Sequence, residues 1–371
     1  MKRYFHLNDQ KFGFGCMRLP MVGDQVDIPQ FKEMVDAFIA KGFIYFDTAH
    51  GYINGQSETA IKEALTSRYP REAYTLTDKL TEPYFHIEED IVPFFESQLE
   101  ACGVTYFDFY LMHAQNARNY EHFKRCNAYN VAASLKEQGK IKHVGISFHD
   151  SAEVLDRILS EQPVIEVVQI QYNYRDYDDM AIQSKACFDV CVKHHKPVII
   201  MEPIKGGTLI NLTQEAKKLV SDAGLTPQNL ALRFAASPEE VMMVLSGMSS
   251  IEQMNDNLSF MKDVKPLSEE EFALTRRIVN ILGNKSIIQC TGCRYCIDGC
   301  PRHISIPNLF ALLNSKRAFN ERNANTYYKN ITSEGHGKAS ECIKCGRCEN
   351  SCPQHLKIRD LLVEVVEEFE K

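Results

Sequence analysis

The chain has 371 residues, 44% of them apolar and 25% charged, and a net charge of −7 at neutral pH. That composition fits a globular protein with room for one large domain and a smaller one. The acidic balance argues against a nucleic-acid partner. The N-terminus has no apolar signal core and no apolar run approaches a membrane span, so no membrane association is expected.

Up to about residue 262, short runs rich in β-branched and aromatic residues alternate with helical patterns. Candidate strands are 12–17, 43–49, 73–79, 107–113, 142–147, 167–172, 197–203 and 241–247. Helix-like segments lie between them at 28–41, 57–67, 87–102, 127–138, 152–159 and 180–194, with another at 226–236 that Thr226 can cap. Uninterrupted apolar strands between helices suggest a parallel sheet covered on both sides. Eight such repeats in about 260 residues match the size of a (β/α)8 TIM barrel. An open doubly wound sheet is the alternative. No G-x-G-x-x-G follows any of these strands, and that absence favours the barrel.

The expected domains are therefore a barrel over 1–262, a helical connector over 263–285, and a small C-terminal domain over 286–371 that closes on an acidic amphipathic helix at 358–370. Asn284-Lys285-Ser286 opens the C-terminal domain. That domain writes one cysteine pattern twice: Cys290-x2-Cys293-x2-Cys296-x3-Cys300-Pro301, then Cys342-x2-Cys345-x2-Cys348-x3-Cys352-Pro353. This is the ligand spacing of a bacterial two-cluster ferredoxin and implies two [4Fe–4S] centres in an α-rich, ferredoxin-like domain. In that arrangement the fourth cysteine of each run serves the other cluster. One cluster is then expected on Cys290, Cys293, Cys296 and Cys352, the other on Cys342, Cys345, Cys348 and Cys300. Zinc ribbons use paired C-x2-C knuckles without the third cysteine. Disulfides fit poorly with such tight spacing. The other five cysteines, Cys16, Cys102, Cys126, Cys187 and Cys191, are scattered and read as core thiols in a reducing cytoplasm.

A barrel enzyme keeps its chemistry at the C-terminal ends of its strands. There the sequence places Asp47 and, just beyond, Tyr52, then Lys79, then His113, on successive strands. Each alone has a bland role, as a cap, a packed ring, a rim ammonium or a core histidine. Together they make a proton donor. Lys79 is placed to lower the Tyr52 phenol pKa, Asp47 to hold Lys79, and a neutral His113 to orient a carbonyl oxygen.

Asp47-Thr48-Ala49-His50-Gly51-Tyr52, Thr77-Asp78-Lys79 and Leu111-Met112-His113 resemble the active-site strand ends of the aldo-keto reductases. So do Phe12-Gly13-Phe14-Gly15-Cys16-Met17-Arg18-Leu19-Pro20 and Gly145-Ile146-Ser147. The whole chain resembles the subgroup carrying a C-terminal ferredoxin-like domain. The resemblance implies a (β/α)8 barrel that reduces an aldehyde or ketone to an alcohol with NADP(H) or NAD(H). Tyr52 would be the general acid, with Lys79, Asp47 and His113 in support. It also implies cofactor contacts from Cys16 and Met17, and from Ser147 and Gln169 at the nicotinamide. The loop Pro203-Ile204-Lys205-Gly206-Gly207 would hold the pyrophosphate. Ser246-Gly247-Met248, Gln253 and Asn257 would lie at the adenosine. The chain departs from the family pattern in three ways: Phe148 follows the strand-five Ser, Met201 stands where an aromatic often stacks, and Gly247 and Gln253 lie near where basic residues often clasp a 2′-phosphate. NADH therefore stands beside NADPH as a candidate.

Hydride chemistry moves two electrons and each cluster one. In one reading the clusters brace the domain or sense redox state beside ordinary carbonyl reduction. In another, a one-electron carrier protein docks on the ferredoxin-like domain and feeds or drains the active site. A third makes the barrel a redox-sensing binding module, which the complete set of four polar residues disfavours. Substrate loops are expected at 84–88, 115–123 and 174–179, with Arg118, Tyr120, Tyr174 and Arg175 as candidate contacts.

Overall fold

The structure, a computed structural model, describes residues 5, 7, 10–178, 182–283, 288–319, 324–333 and 336–371. Its strands are β1 (Phe12–Gly15), β2 (Met21–Val22), β3 (Gln25–Val26), β4 (Tyr45–Asp47), β5 (Thr75–Leu80), β6 (Phe107–Gln115), β7 (Ile141–Phe148), β8 (Val167–Gln171), β9 (Val198–Met201) and β10 (Val241–Ser246). Eight of them close a barrel in the order β1-β10-β9-β8-β7-β6-β5-β4, and every ladder in it is parallel. The expected barrel is thus the observed one, with each predicted strand present within a few residues. The exception is the β2–β3 hairpin, which the sequence reading missed. Its strands are two residues long, and Gly23 turns between them with φ of 59°.

The barrel interior is packed rather than open. Tyr45, Phe109, Leu111, Val167, Ile199, Met243 and Leu245 fill it, and Phe5 and Leu7 pack against them. Outer helices form where the sequence alternates. Asp27 caps Ile28–Ala40, accepting from the Gln30 N–H at 3.0 Å, and Ser151 and Ser250 cap Ala152–Glu161 and Ile251–Met261. The predicted helix at 57–67 is an α-helix over Gln56–Ile61 that widens to a π turn over Lys62–Thr66. The predicted helix at 180–194 starts at Ser184; Met180 lies outside the described residues.

The contact pattern does not divide the chain at residue 262. One compact unit holds residues 1–179, 183–203 and 231–267; the other holds 180–182, 204–230 and 268–371. The segment after β9 joins the second unit because the helix Gln214–Asp222 packs on the helix Glu269–Gly283. The predicted opening at Asn284-Lys285-Ser286 falls outside the described residues. No helix among the described residues is long and apolar enough to cross a membrane.

The second unit is α-rich. Ile304, Ile306, Leu309, Phe310, Leu313, Ile358, Leu362 and Val365 form its core together with Cys296 and Cys348. The cysteine repeat is also a backbone repeat. Gly292 and Lys344, Arg294 and Gly346, and His303 and His355 occupy matching positions in the two motifs, and all six have positive φ. The short helices Tyr295–Asp298 and Arg347–Asn350 match as well.

Candidate active site and cysteine pockets

In the barrel unit, Asp47 ends β4, Lys79 lies near the end of β5 and His113 near the end of β6. Lys79 is fully buried. Its Nζ donates to Asp47 Oδ1 at 2.7 Å and to the Thr48 carbonyl at 2.6 Å. Gln169 Nε2 donates to the other Asp47 oxygen at 3.1 Å. Burial raises the Asp47 carboxyl above its ordinary range, opposed by Lys79 and Gln169.

Tyr52 opens a short turn, Tyr52–Gly55, in which Ile53 and Asn54 are both left-handed with φ of 53°. Such a conformation is costly for a β-branched residue. The turn is anchored by Thr48 Oγ1 to Ser57 Oγ at 2.7 Å, and Ser57 Oγ donates to the Cys16 carbonyl at 2.9 Å. Lys79 Nζ sits 4.9 Å from the Tyr52 ring centroid, and the His113 ring meets Tyr52 edge-on at 5.9 Å. The sequence reading had Lys79 lowering the phenol pKa. Here the balance runs the other way. Burial first, then Asp47, Asp78, Cys16 and Glu202, hold the phenol well above its ordinary value. Asp47 already engages the Lys79 charge, so Tyr52 stays protonated.

A bulge aims His113. The β6–β7 register shifts between Met112 and Gln115, and Ala114 has φ of 52°. Ser147 Oγ accepts the Ala114 N–H at 2.7 Å. The Thr81 hydroxyl lies 2.8 Å from His113 Nδ1. Burial, then Lys79 and His149, keep the imidazole well below its ordinary pKa and neutral.

Behind Lys79 lies a buried acidic cluster that sequence reasoning missed. Asp78 Oδ1 accepts from the Lys79 N–H at 2.7 Å and from Gln98 Nε2 at 3.1 Å. Gln98 Nε2 also reaches Glu58 Oε1 at 3.2 Å, and Glu58 Oε2 lies 2.8 Å from His50 Nδ1. Burial, and next the Glu58 charge, push the Asp78 carboxyl well above its ordinary value. Only the Ser57-Glu58 pair next to the Tyr52 turn could have hinted at it; the pairing of distant acids has no local signature.

The expected cofactor residues divide. Ser147, near the end of β7, and Gln169, midway along β8, are register partners, both buried. That adjacency suits a planar carboxamide, although Ser147 also ties the bulge and Gln169 also holds Asp47. Cys16 is buried, with Sγ against the Phe14 carbonyl at 3.6 Å, and Met17 beside it is partly exposed. Ser246 accepts from Asn257 Nδ2 at 3.3 Å, Met248 is buried, and Gln253 Oε1 accepts the Ser249 N–H at 2.9 Å. A Cβ on Gly247 would come within 3.3 Å of the Arg18 side chain, so an exposed cation runs beside this loop. Pro203 is buried and groups with the barrel unit, whereas Ile204, Lys205, Gly206 and Gly207 group with the second unit. There Lys205, fully buried, donates from Nζ to Gln354 Oε1 at 3.2 Å. Gly206 has φ of 60°, and a Cβ on it would lie 2.4 Å from the Thr291 carbonyl oxygen. This loop is thus packed on the cysteine motifs, a use the expected phosphate role did not anticipate.

Among the expected substrate contacts, Tyr120 is fully buried and donates to Glu161 at 2.7 Å, so it holds structure. Tyr174 is buried and Arg175 partly buried. Asp179 and the Arg118 side chain lie outside what is described.

The second unit contains two cysteine-lined pockets. Cys290, Cys293, Cys296 and Cys352 line one, with Thr291, Phe310 and Gln354. Cys342, Cys345, Cys348 and Cys300 line the other, with Arg302, Ile343 and Leu362. Each joins three cysteines of one motif to the fourth of the other. Among the described residues no three cysteine, histidine or carboxylate groups converge closely enough for a single metal ion. Four thiols lining one pocket, three from one C-x2-C-x2-C run and the fourth from the other, suit a cubane cluster better than zinc, whose ligands close tightly on one centre.

Residues 11–280 match the model of the aldo/keto reductase family, and residues 289–356 match the 4Fe-4S dicluster domain. An uncharacterized oxidoreductase of Schizosaccharomyces pombe is 22% identical over 67% of this chain and 80% of its own length. An NADH-specific methylglyoxal reductase of Escherichia coli is 21% identical over 65% of this chain and 85% of its own length. The barrel fold is similar to that of an aldo-keto reductase from Klebsiella pneumoniae solved with NADPH, with TM-score 0.60 and 21% identity over 72% of this chain and 90% of that one.

Proposed function

The chain belongs to the aldo/keto reductase family and carries a 4Fe-4S dicluster domain, and from that premise we propose that it reduces an aldehyde or ketone to the alcohol. The observation that carries the reading is the fully buried Lys79–Asp47 ion pair beside Tyr52 and His113. A reduced nicotinamide, when bound near Ser147 and Gln169, supplies the hydride. Tyr52 gives its proton to the substrate oxygen as negative charge gathers there. Lys79, held by Asp47, faces the Tyr52 ring and stabilises the phenolate left behind. His113 donates from Nε2 to the same oxygen, which requires Nδ1 to accept from the Thr81 hydroxyl. A neutral imidazole suits that task.

Either dinucleotide fits this reading. Among the relatives, one was solved with NADPH and another is NADH-specific. Gly247 and Gln253 offer no cation to a 2′-phosphate, while Arg18 runs beside Gly247. The eight cysteines hold two [4Fe–4S] clusters in the crossed pairing of the two pockets. None of the thirteen cysteines is in a disulfide, and the eight thiolate ligands suit the reducing cytoplasm where we place the protein. A second reading, in which the clusters exchange electrons with an outside carrier, is favoured by one observation: Cys345 is exposed.

Anaerobic turnover with a panel of small aldehydes tests the main reading. Tyr52→Phe should lower kcat at least about 100-fold while dinucleotide binding persists, since a positioned acid contributes that much or more. Unchanged turnover would remove Tyr52 from the mechanism.

A further inference from the structure

The two cysteine motifs match position for position, so their surroundings can be compared residue by residue. Thr291 corresponds to Ile343, Cys293 to Cys345, Gln354 to Arg302 and Phe310 to Leu362. The two faces are treated very differently. On the first, the chain's own 204–207 loop lies over the motif: Gly206 presses on the Thr291 carbonyl and Lys205 bonds Gln354. Thr291 is 3% exposed and Gln354 5%. On the second face nothing comparable lies over the motif among the described residues. Ile343 is 55% exposed, and Cys345, Arg302 and Lys344 are exposed with it.

The bare face is also basic. Arg302, Lys344 and the adjacent exposed Arg347 make no ion pair among the described residues. Of the acids in the two motifs, Glu349 is engaged by Arg359 at 2.7 Å, while Asp298 is exposed; Glu341, just outside, is exposed too. These cations stand beside an exposed isoleucine and an exposed cluster ligand on a chain whose net charge is −7. Lysine and arginine placed on such a face steer an oppositely charged partner. The exposed isoleucine offers the small apolar centre that a short-lived interface needs.

We propose that this face docks a small acidic one-electron carrier protein, which exchanges electrons with the cluster of the Cys342, Cys345, Cys348 and Cys300 pocket. The proposal rests on the cluster pairing given under the proposed function. In each step one electron leaves the reduced carrier and enters the oxidised cluster, and no atom changes hands. The first pocket, covered by the chain itself, is the inner site and not the point of entry.

The test uses the full-length holoprotein, anaerobic, with a reduced plant-type [2Fe–2S] ferredoxin as the acidic probe. Freeze-quench EPR separates that donor from the [4Fe–4S] acceptor. No nicotinamide or carbonyl is present, so failure of carbonyl turnover would leave the result untouched. The variants are Arg302→Glu/Lys344→Glu/Arg347→Glu and the milder Lys344→Gln/Arg347→Gln. Iron content and reduction by photoreduced deazaflavin, a small neutral donor, verify that the clusters survive. The wild-type rate should fall as salt rises, because salt screens the attraction. Charge reversal should slow ferredoxin-driven reduction at low salt at least tenfold and abolish that salt dependence, with the Gln variant between. Equal rates in all three proteins, with the deazaflavin control unchanged, would overturn the proposal. So would a slowing that the deazaflavin control shares.

Discussion

Asp78→Asn should stabilise the protein increasingly as pH rises. Asp78 is fully buried and its carboxyl is held well above the ordinary 3.8, by burial first and the Glu58 charge next. A carboxyl whose folded pKa is raised contributes stability that is complete below the unfolded value and is lost as pH climbs toward the folded one. Over that interval the folded chain holds one proton that the unfolded chain has released. Unfolding free energy therefore falls by about 1.4 kcal/mol per pH unit at this site alone. Asparagine resembles the protonated acid. Its Oδ1 keeps the Lys79 N–H and Gln98 bonds, and its Nδ2 takes the place of the oxygen now 3.6 Å from Cys102 Sγ, so the swap itself should cost no more than about 1 kcal/mol. His50, raised by its bond to Glu58, also loses stabilisation as pH rises through its folded value, but it does so in both proteins. The assay is anaerobic urea unfolding followed by far-ultraviolet circular dichroism at pH 5.5, 6.5 and 7.5. The cluster contribution cancels in the difference between variant and wild type. That difference should grow by about 2.7 kcal/mol over the two pH units for as long as Asp78 keeps its proton. A flat difference would mean that Asp78 is ionised in the folded state and that the reasoning about this cluster is wrong.

Four further outcomes follow from the same contacts. Lys79→Met leaves a buried carboxylate facing only Gln169, which should cost about 3–5 kcal/mol in thermal or urea unfolding; a loss below about 1 kcal/mol would show the pair to be solvated. Thr81→Val should lower kcat more than it raises KM and shift the pH profile of turnover, whereas Thr81→Ser should restore both, because only a hydroxyl can fix the His113 tautomer; equal behaviour of Val and Ser would dismiss Thr81 as a positioning residue. Lys205→Met removes a buried ammonium beside the first cysteine pocket, and should lower the reduction potential of that cluster by on the order of 59 mV, a tenfold change for one electron; redox titration by EPR showing both clusters unmoved would refute it. Gly206→Ala puts a methyl against the Thr291 carbonyl at a left-handed position and should loosen that loop, read as faster hydrogen exchange over 204–210.

Much of this molecule was legible because its signals are local. Strand–helix alternation and the absence of a Gly-rich fingerprint pointed to a closed parallel barrel, and the doubled cysteine spacing to a two-cluster domain. The four polar strand ends stood out because a barrel brings every such end to one face. What escaped the sequence depends on through-space partners. That the Gln169 amide also bonds Asp47, and that Ser147 also holds the bulge behind His113, has no local signature. The sign of the Tyr52 shift could not be read either. Proximity of Lys79 argues for a more acidic phenol, but burial, with the Asp47 carboxylate next, outweighs an ammonium whose charge Asp47 already engages. Lys205 shows the same limit most sharply. A Gly-Gly step after a barrel strand suggests a phosphate loop, but nothing local announces that Lys205 also meets Gln354, almost 150 positions downstream. That loop is what makes the two cysteine motifs unequal. Twin motifs of near-identical backbone would hold equivalent clusters, but one is roofed by a buried lysine and a glycine that admits no side chain, and the other is left open. On the cluster pairing proposed above, surroundings this different should set the two clusters apart in potential and in access, the asymmetry that entry of electrons at the open face requires.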